Sequence, residues 1–293
     1  QYFGRERVDM MKKEPTKTKK SSVISKNIYI ASLAKADNLE VLNSEKTKII
    51  PRKGIYVKYV KRCLDLVITI PLLILLFPVN LILAVLTCLD VGRPIFFRQK
   101  RIGKDGKLFY LTKFRNMTEE RDSLGNLYPP EKRVTEFGKF VRKYSLDELL
   151  NFWSILKGDM SLIGPRPLPA EFRDRFSDRH KARELVRPGL ECPEICGNQS
   201  IRYYQEQFEN DIWYVEHVSF FVDCKMILGL IKMVFNRGER SDHAVVGGGE
   251  FLGYDRKGRA FSMRNIPEEY ENNYQDYLKT VGGREKYDRA FEG

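Results

Sequence analysis

Leu66–Leu89 reads L-V-I-T-I-P-L-L-I-L-L-F-P-V-N-L-I-L-A-V-L-T-C-L, an uncharged run bracketed by Asp65 and Asp90. About 20 apolar residues suffice to cross a bilayer as a helix, so the length suits a span. The flanks point elsewhere. Lys58, Lys61 and Arg62 precede the run; Arg93, Arg98, Lys100 and Arg101 follow it. Lys and Arg beside a membrane segment favour the cytoplasmic side, and here both ends ask for it. A helix that enters, bends and leaves by one face satisfies both. Pro71 and Pro78 give the bend a cause, because a proline inside a helix removes a backbone donor and clashes with the preceding turn. On hydropathy alone, a single-pass helix with proline kinks stays open. A signal peptide is not expected: the run starts far into the chain, and no small-residue cleavage site follows it.

The chain has 293 residues and a formal net charge of +12. Roughly 200 residues follow the apolar run, enough for one domain with its own core. A basic surface suits nucleic acid, anionic lipid or phosphorylated ligands; beside a membrane segment, lipid headgroups and phosphates gain weight. No nucleic-acid partner is expected, since neither stacking motifs nor a recognition helix is evident. The five cysteines, Cys63, Cys88, Cys192, Cys196 and Cys224, are odd in number and scattered, which is not a disulfide framework. Cys192 and Cys196 form C-x3-C with no second pair, a weak zinc signature. A reducing, cytoplasmic setting follows.

Four segments are expected: a polar, lysine-rich stretch over 1–55, the membrane helix over 56–90, a cytoplasmic domain over 91–243, and a tyrosine-rich extension over 244–293. The first reads as a solvated tail, or as a polybasic contact to headgroups. Residues 94–117 read as a β-hairpin around G-K-D-G. Ser145 as N-cap, Gly158 as stop, and a stripe of Leu146, Leu149, Leu150, Trp153 and Leu156 predict a helix between them. Residues 161–169 (S-L-I-G-P-R-P-L-P) cannot be regular helix; 170–186 reads as a charged helix ended by R-P-G at 187–189. Residues 208–235 read as mostly helical, with an apolar face for the core or the headgroup plane. The tail is open to two readings, packing filler or association with a pathway partner or a second copy in a homo-oligomer. The fold class is thus α+β and mostly helical: a monotopic, membrane-associated domain with a re-entrant helix-break-helix, a small β-hairpin and amphipathic interfacial helices.

The chemistry concentrates in Arg142-Lys143-Tyr144-Ser145-Leu146-Asp147-Glu148. Ser145 and Glu148 have capping-box spacing, so Asp147 and Glu148 read first as first-turn acids that suit a helix dipole. A helix start also attracts phosphate. Arg142 lies within reach to grip one, the paired carboxylates could hold Mg2+, and an aspartate can itself attack phosphorus. Arg166, set between Pro165 and Pro167, reads as a preorganised cation for an anion.

These blocks resemble the bacterial sugar transferases, the monotopic phosphoglycosyl transferases that act on polyprenyl phosphate. The resemblance is carried by K-R-C-L-D-L at 61–66, G-R-P-I-F-F-R-Q-K-R-I-G-K-D-G-K-L-F at 92–109 and K-F-R-N-M at 113–117. It continues in S-L-D-E-L-L-N-F-W-S-I-L-K-G-D-M-S-L-I-G-P-R-P at 145–167, R-P-G at 187–189 and W-Y-V-E-H-V-S-F-F-V-D at 213–223. The resemblance implies transfer of a sugar-1-phosphate from a UDP-sugar to undecaprenyl phosphate with release of UMP. It implies a site at the cytoplasmic face of the inner membrane, catalysing the first membrane step of a cell-surface glycan. It implies Asp147 as nucleophile, Glu148 as its assistant by positioning or by proton handling, and Mg2+ at Asp147. It further implies Arg142 and Arg166 as phosphate ligands and Pro78 as the break in the re-entrant helix. One departure stands out. After R-P-G, many members continue I-T-G-W-A-Q-V-N-G-R-N, where this chain has L-E-C-P-E-I-C-G-N-Q-S at 190–200. That puts donor identity in question more than activity. A catalytically silent membrane scaffold for glycan assembly is the competing expectation.

Overall fold

The computed structural model describes residues 24–44, 48–123, 125, 127–192, 203–235 and 249–291. In chain order these form α1 (Lys26–Ser44), a π-helical turn (Tyr56–Val60) running into α2 (Lys61–Val91), and the strands β1 (Phe96–Ile102) and β2 (Leu108–Phe114). Then come α3 (Pro130–Arg133), α4 (Glu136–Lys143), a 3-10 turn (Leu146–Glu148), α5 (Asn151–Lys157), β3 (Ser161–Ile163), α6 (Asp178–Lys181) and β4 (Gly189–Glu191). The chain closes with α7 (Tyr204–His217), α8 (Phe220–Phe235), β5 (Phe251–Tyr254), β6 (Ala260–Ser262) and α9 (Glu268–Phe291). The fold is mostly helical, with three two-stranded sheets among the described residues.

The apolar run is α2. With its entry turn it is one helix, 56–91, long and apolar enough to cross a membrane. Pro71 and Pro78 both lie inside it, and helical backbone continues across them. Each proline costs one backbone bond, and the flanking turns retain theirs. Ile74, Leu75 and Phe77, around the middle of the helix, are mostly exposed, whereas both ends are gripped by one folded body. At the first end, Arg62 donates to the carbonyls of Ile155 and Leu156 in the last turn of α5 (2.6 and 2.9 Å). Asp65, buried, accepts from Ser161 Oγ and Leu162 N, both at 3.0 Å. Lys61 pairs with Asp223 of α8 at 2.5 Å. At the last end, Asp90 accepts from Thr135 Oγ1 (2.6 Å) and Arg115 donates to the Val91 carbonyl. Leu83 packs with Phe114 and Val141.

The hairpin forms as its sequence predicts, with β1 and β2 antiparallel and Phe96 opposite Phe114. Opposed residues share a face, so Phe97, Gln99, Arg101, Phe109, Leu111 and Lys113 all lie on one side. Phe109 and Leu111 bury on Ile155 and Met160 of the α5 region, which turns Arg101 and Lys113 toward the same body. Gly158 ends α5 in the left-handed region (φ 91), as expected of a helix stop. The R-P-G motif has a packing cause: β3 and β4 run parallel, and a Cβ on Gly189 would sit 2.1 Å from Gly164 N. Only glycine admits that approach.

Four expectations need correction. Ser145 is not an N-cap: it sits at φ 53 and its side chain makes no cap bond, so the stretch after it is a 3-10 turn and α5 starts only at Asn151. The leucine stripe divides accordingly. Leu146, Leu149 and Leu150 pack beneath α2, whereas Trp153 is half exposed. The charged helix over 170–186 is three short pieces, two 3-10 and one α, with Phe172, Phe176 and His180 buried. The solvated tail over 1–55 contains the packed helix α1. Ile30, Ala31 and Ala34 are buried against Leu252, Phe261, Tyr270 and Tyr274. Alanines make a faint amphipathic signal, and their partners lie over 200 residues away. Segments before and after the apolar helix therefore share one core. That lobe docks on the domain through Phe251 and Tyr254, which join Phe172, Phe176 and Phe208. The Tyr254 hydroxyl meets His180 Nδ1 (2.8 Å) and the Ser177 amide (3.1 Å). The buried tyrosines are thus packing residues.

Candidate active site

The 3-10 turn after Ser145 presents two adjacent carboxylates in different surroundings. Glu148 Oε1 accepts from Lys113 Nζ at 2.6 Å and from Arg166 Nη2 at 2.9 Å. Lys113 arrives on β2, Arg166 on the loop after β3. Burial by itself would raise the Glu148 pKa, but the two cations outweigh it and hold the group at about 2. Glu148 is therefore an anchored anion and a poor proton acceptor. Asp147 is buried, and among the described residues its carboxylate forms no ion pair. Desolvation pushes its pKa up, and the charge of Glu148 adds to that, against the pull of Lys113 and Arg142. The pair is polarised: one carboxylate caged and strongly acidic, the other more basic, and so more nucleophilic.

Arg142, at the end of α4, is near enough to act electrostatically on Asp147; its Nη2 donates to Asn116 Oδ1 at 2.9 Å. Arg166 is close to Glu148, as its proline setting suggests. The structure thus gathers Arg142, Asp147, Glu148 and Arg166 around one turn, although the helix start expected to gather them is not formed. Lys113, Asn116 and Arg101 belong to the same neighbourhood and are missed by motif reasoning. For Lys113 the available signal is the period-two alternation of β2, which puts it in phase with the core residues Phe109 and Leu111.

For Mg2+, the donor set is sparse but suitable. Mg2+ is commonly held by one or two carboxylates together with substrate phosphates and water. Among the described residues no group of three or more His, Cys, Asp or Glu converges on a point. Asp147, without a cation partner among those residues, fits a metal shared with a bound diphosphate; Glu148, already shared by two cations, fits less well. Cys196 and the divergent stretch 193–200 lie outside the described residues.

An acid pair split in this way and ringed by Lys and Arg is chemically suited to phosphate, and the leucines of its turn pack against Leu83 of the apolar helix. The family model for the bacterial sugar transferases matches residues 56–237, and the chain belongs to that family. It is 42% identical over 175 residues to the uncharacterized sugar transferase EpsL of Bacillus subtilis (strain 168), covering 59% of this chain and 86% of that protein. It is 32% identical over 188 residues to the UDP-N-acetylgalactosamine-undecaprenyl-phosphate N-acetylgalactosaminephosphotransferase of Aeromonas hydrophila, covering 60% of this chain and 44% of that one. It is 33% identical over 187 residues to the UDP-glucose:undecaprenyl-phosphate glucose-1-phosphate transferase of Klebsiella pneumoniae, covering 60% of this chain and 40% of that one. The chain thus spans under half the length of the latter two. α1, β5, β6 and α9 fall outside the family match.

Proposed function

We propose that this protein transfers a sugar-1-phosphate from a UDP-sugar to undecaprenyl phosphate and releases UMP, in two steps through Asp147. The carrying observation is the polarised pair: Asp147 buried, raised and without an ion-pair partner among the described residues, beside Glu148 caged by Lys113 and Arg166. In the first step an Asp147 oxygen attacks the sugar-linked phosphorus. The new O–P bond replaces the bond to the bridging oxygen, and UMP leaves with that electron pair. In the second step a phosphate oxygen of undecaprenyl phosphate attacks the same phosphorus and Asp147 departs as a free carboxylate, giving the lipid diphosphate sugar. Arg166 and Arg142 neutralise the phosphate oxygens as charge accumulates. Glu148 holds Arg166 and Lys113 in place; its strong acidity argues for positioning over proton transfer. Mg2+ would be held at Asp147 and would offset the charge of the diphosphate.

The setting is a monotopic one at the cytoplasmic face of the inner membrane. α2 is about 46 Å long at 1.5 Å per residue, against a hydrocarbon core of about 30 Å. A straight crossing would separate α1 from the rest of the chain by the whole bilayer. The packing of Ile30, Ala31 and Ala34 on Leu252, Phe261 and Tyr270 supports the re-entrant reading instead. The lipid acceptor then presents its phosphate at the interface, where the acid pair lies and the soluble donor arrives.

The test is UMP release from a panel of UDP-sugars by the protein in vesicles containing undecaprenyl phosphate. Turnover with one donor, abolished in Asp147→Asn, supports the proposal. No turnover with any donor by the unmodified protein would leave the scaffold expectation standing.

A further inference from the structure

Four successive backbone carbonyls around Arg166 each accept a hydrogen bond from a different place in the fold. Pro165 accepts from Gly189 N at 3.0 Å and Leu168 from Ile102 N at 3.1 Å. Arg166 itself accepts from Arg183 Nη2 at 2.9 Å, and Pro167 from Arg101 Nη1 at 2.9 Å. Two of these donors are arginine side chains turned into the protein. Arg183 is buried, forks onto Asp211 Oδ2 (3.0 and 2.6 Å) and lies over the rings of Phe176 and Phe208. Arg101 comes from the same hairpin face as Lys113, and its second arm donates to Gln99 Oε1 at 2.6 Å.

A proline-rich turn needs no buried cations to hold its shape. Proline fixes φ and leaves ψ, the orientation of each peptide plane, as the remaining freedom. Pinned carbonyls remove it. Burial, reinforced by the like charge of Arg166, pulls Arg101 down to about 10. It is therefore still a cation at neutral pH, retained beside another at an electrostatic cost. We propose that Arg101 and Arg183 are positioning residues that pin the peptide planes on either side of Arg166 and thereby aim its guanidinium at the phosphate site beside Glu148. Their role in turnover rests on the proposed phosphate transfer; their role in ordering the loop does not.

The experiment pairs two readouts on Arg101→Met, Arg101→Lys and Arg183→Lys. The first is amide hydrogen exchange over residues 161–168 and at Ile102 and Gly189, measured on the full chain in nanodiscs. Arg101→Met and Arg183→Lys speed exchange there while α1 and α7 keep wild-type protection. The second is a double-mutant cycle with Arg166→Met on UMP release. Arg101→Met lowers kcat/KM about 100-fold in the wild-type background, the scale of a small misplacement of a reacting group. It costs under about 3-fold once Arg166 is gone, because residues acting as a unit are non-additive. Arg101→Lys, which keeps one donor for Pro167, recovers part of the loss. Unchanged exchange in the loop, or losses that add in full, overturn the inference. If the unmodified protein shows no UMP release, the functional proposal fails and the exchange result alone decides the clamp.

Discussion

Replacing Glu148 with glutamine keeps the shape of the side chain and removes its charge, leaving Lys113 and Arg166 facing a neutral amide. The structure sets the size of the effect. The two cations take Glu148 from an ordinary 4.5 to about 2, which corresponds to about 3 kcal/mol of preference for the ionised form. Its side chain is 26% exposed and that of Arg166 is 41% exposed, so screening by solvent trims this to about 2 kcal/mol. The sign follows from the direction of the shift. A carboxylate with a depressed folded pKa stabilises the fold fully above its unfolded value of 4.5. That stability is lost as pH falls toward about 2. Glu148→Gln is therefore less stable than wild type by about 2 kcal/mol at pH 7, and the deficit shrinks by about half near pH 3. Urea unfolding in nanodiscs, followed by the fluorescence of Trp153 and Trp213, measures it. A deficit independent of pH, or none at pH 7, would refute the caged, ionised Glu148.

In the proposed reaction the ionised form of Asp147 is the nucleophile, and burial raises its pKa. The acidic limb of kcat therefore lies above the ordinary aspartate value of 3.8, and Glu148→Gln moves it toward lower pH by removing the neighbouring negative charge. A pH–rate profile in both proteins checks this. Gly189→Ala forces a Cβ to 2.1 Å from Gly164 N and costs about 1–3 kcal/mol or more, read as a fall in Tm; an unchanged Tm would contradict the close β3–β4 approach. In the proposed cytoplasmic setting, tags at residues 1 and 293 are both expected to be protected from membrane-impermeant reagents in intact cells, since α1 and the β5–β6 lobe share a core and so one side of the membrane. Labelling of one end alone would contradict the re-entrant helix.

What could be read from the chain was what depends on near neighbours. The apolar helix, the hairpin around G-K-D-G and the stop at Gly158 each rest on contiguous residues, and each is present. The acid pair and Arg166 were visible because their chemistry is compressed into short motifs. The misreadings share a cause. Ser145 has the spacing of a cap, but Glu148 is drawn to Lys113 and Arg166 from two other elements, and the helix start yields to that ion cage. α1 carries alanines where a strong stripe would carry leucines, and its partners Leu252 and Phe261 lie across the whole domain. Arg101 reads as part of the basic flank of the apolar run and Arg183 as one charge of the 170–186 segment, and only the fold shows which carbonyls they meet.

The most direct measurement is the mass of the intact protein after brief exposure to its UDP-sugar with no lipid acceptor present. A gain equal to one sugar-phosphate, matched by one equivalent of UMP, mapped to Asp147 and discharged on adding undecaprenyl phosphate, is the predicted result. Turnover with full activity but without any such adduct would contradict the nucleophilic role of Asp147.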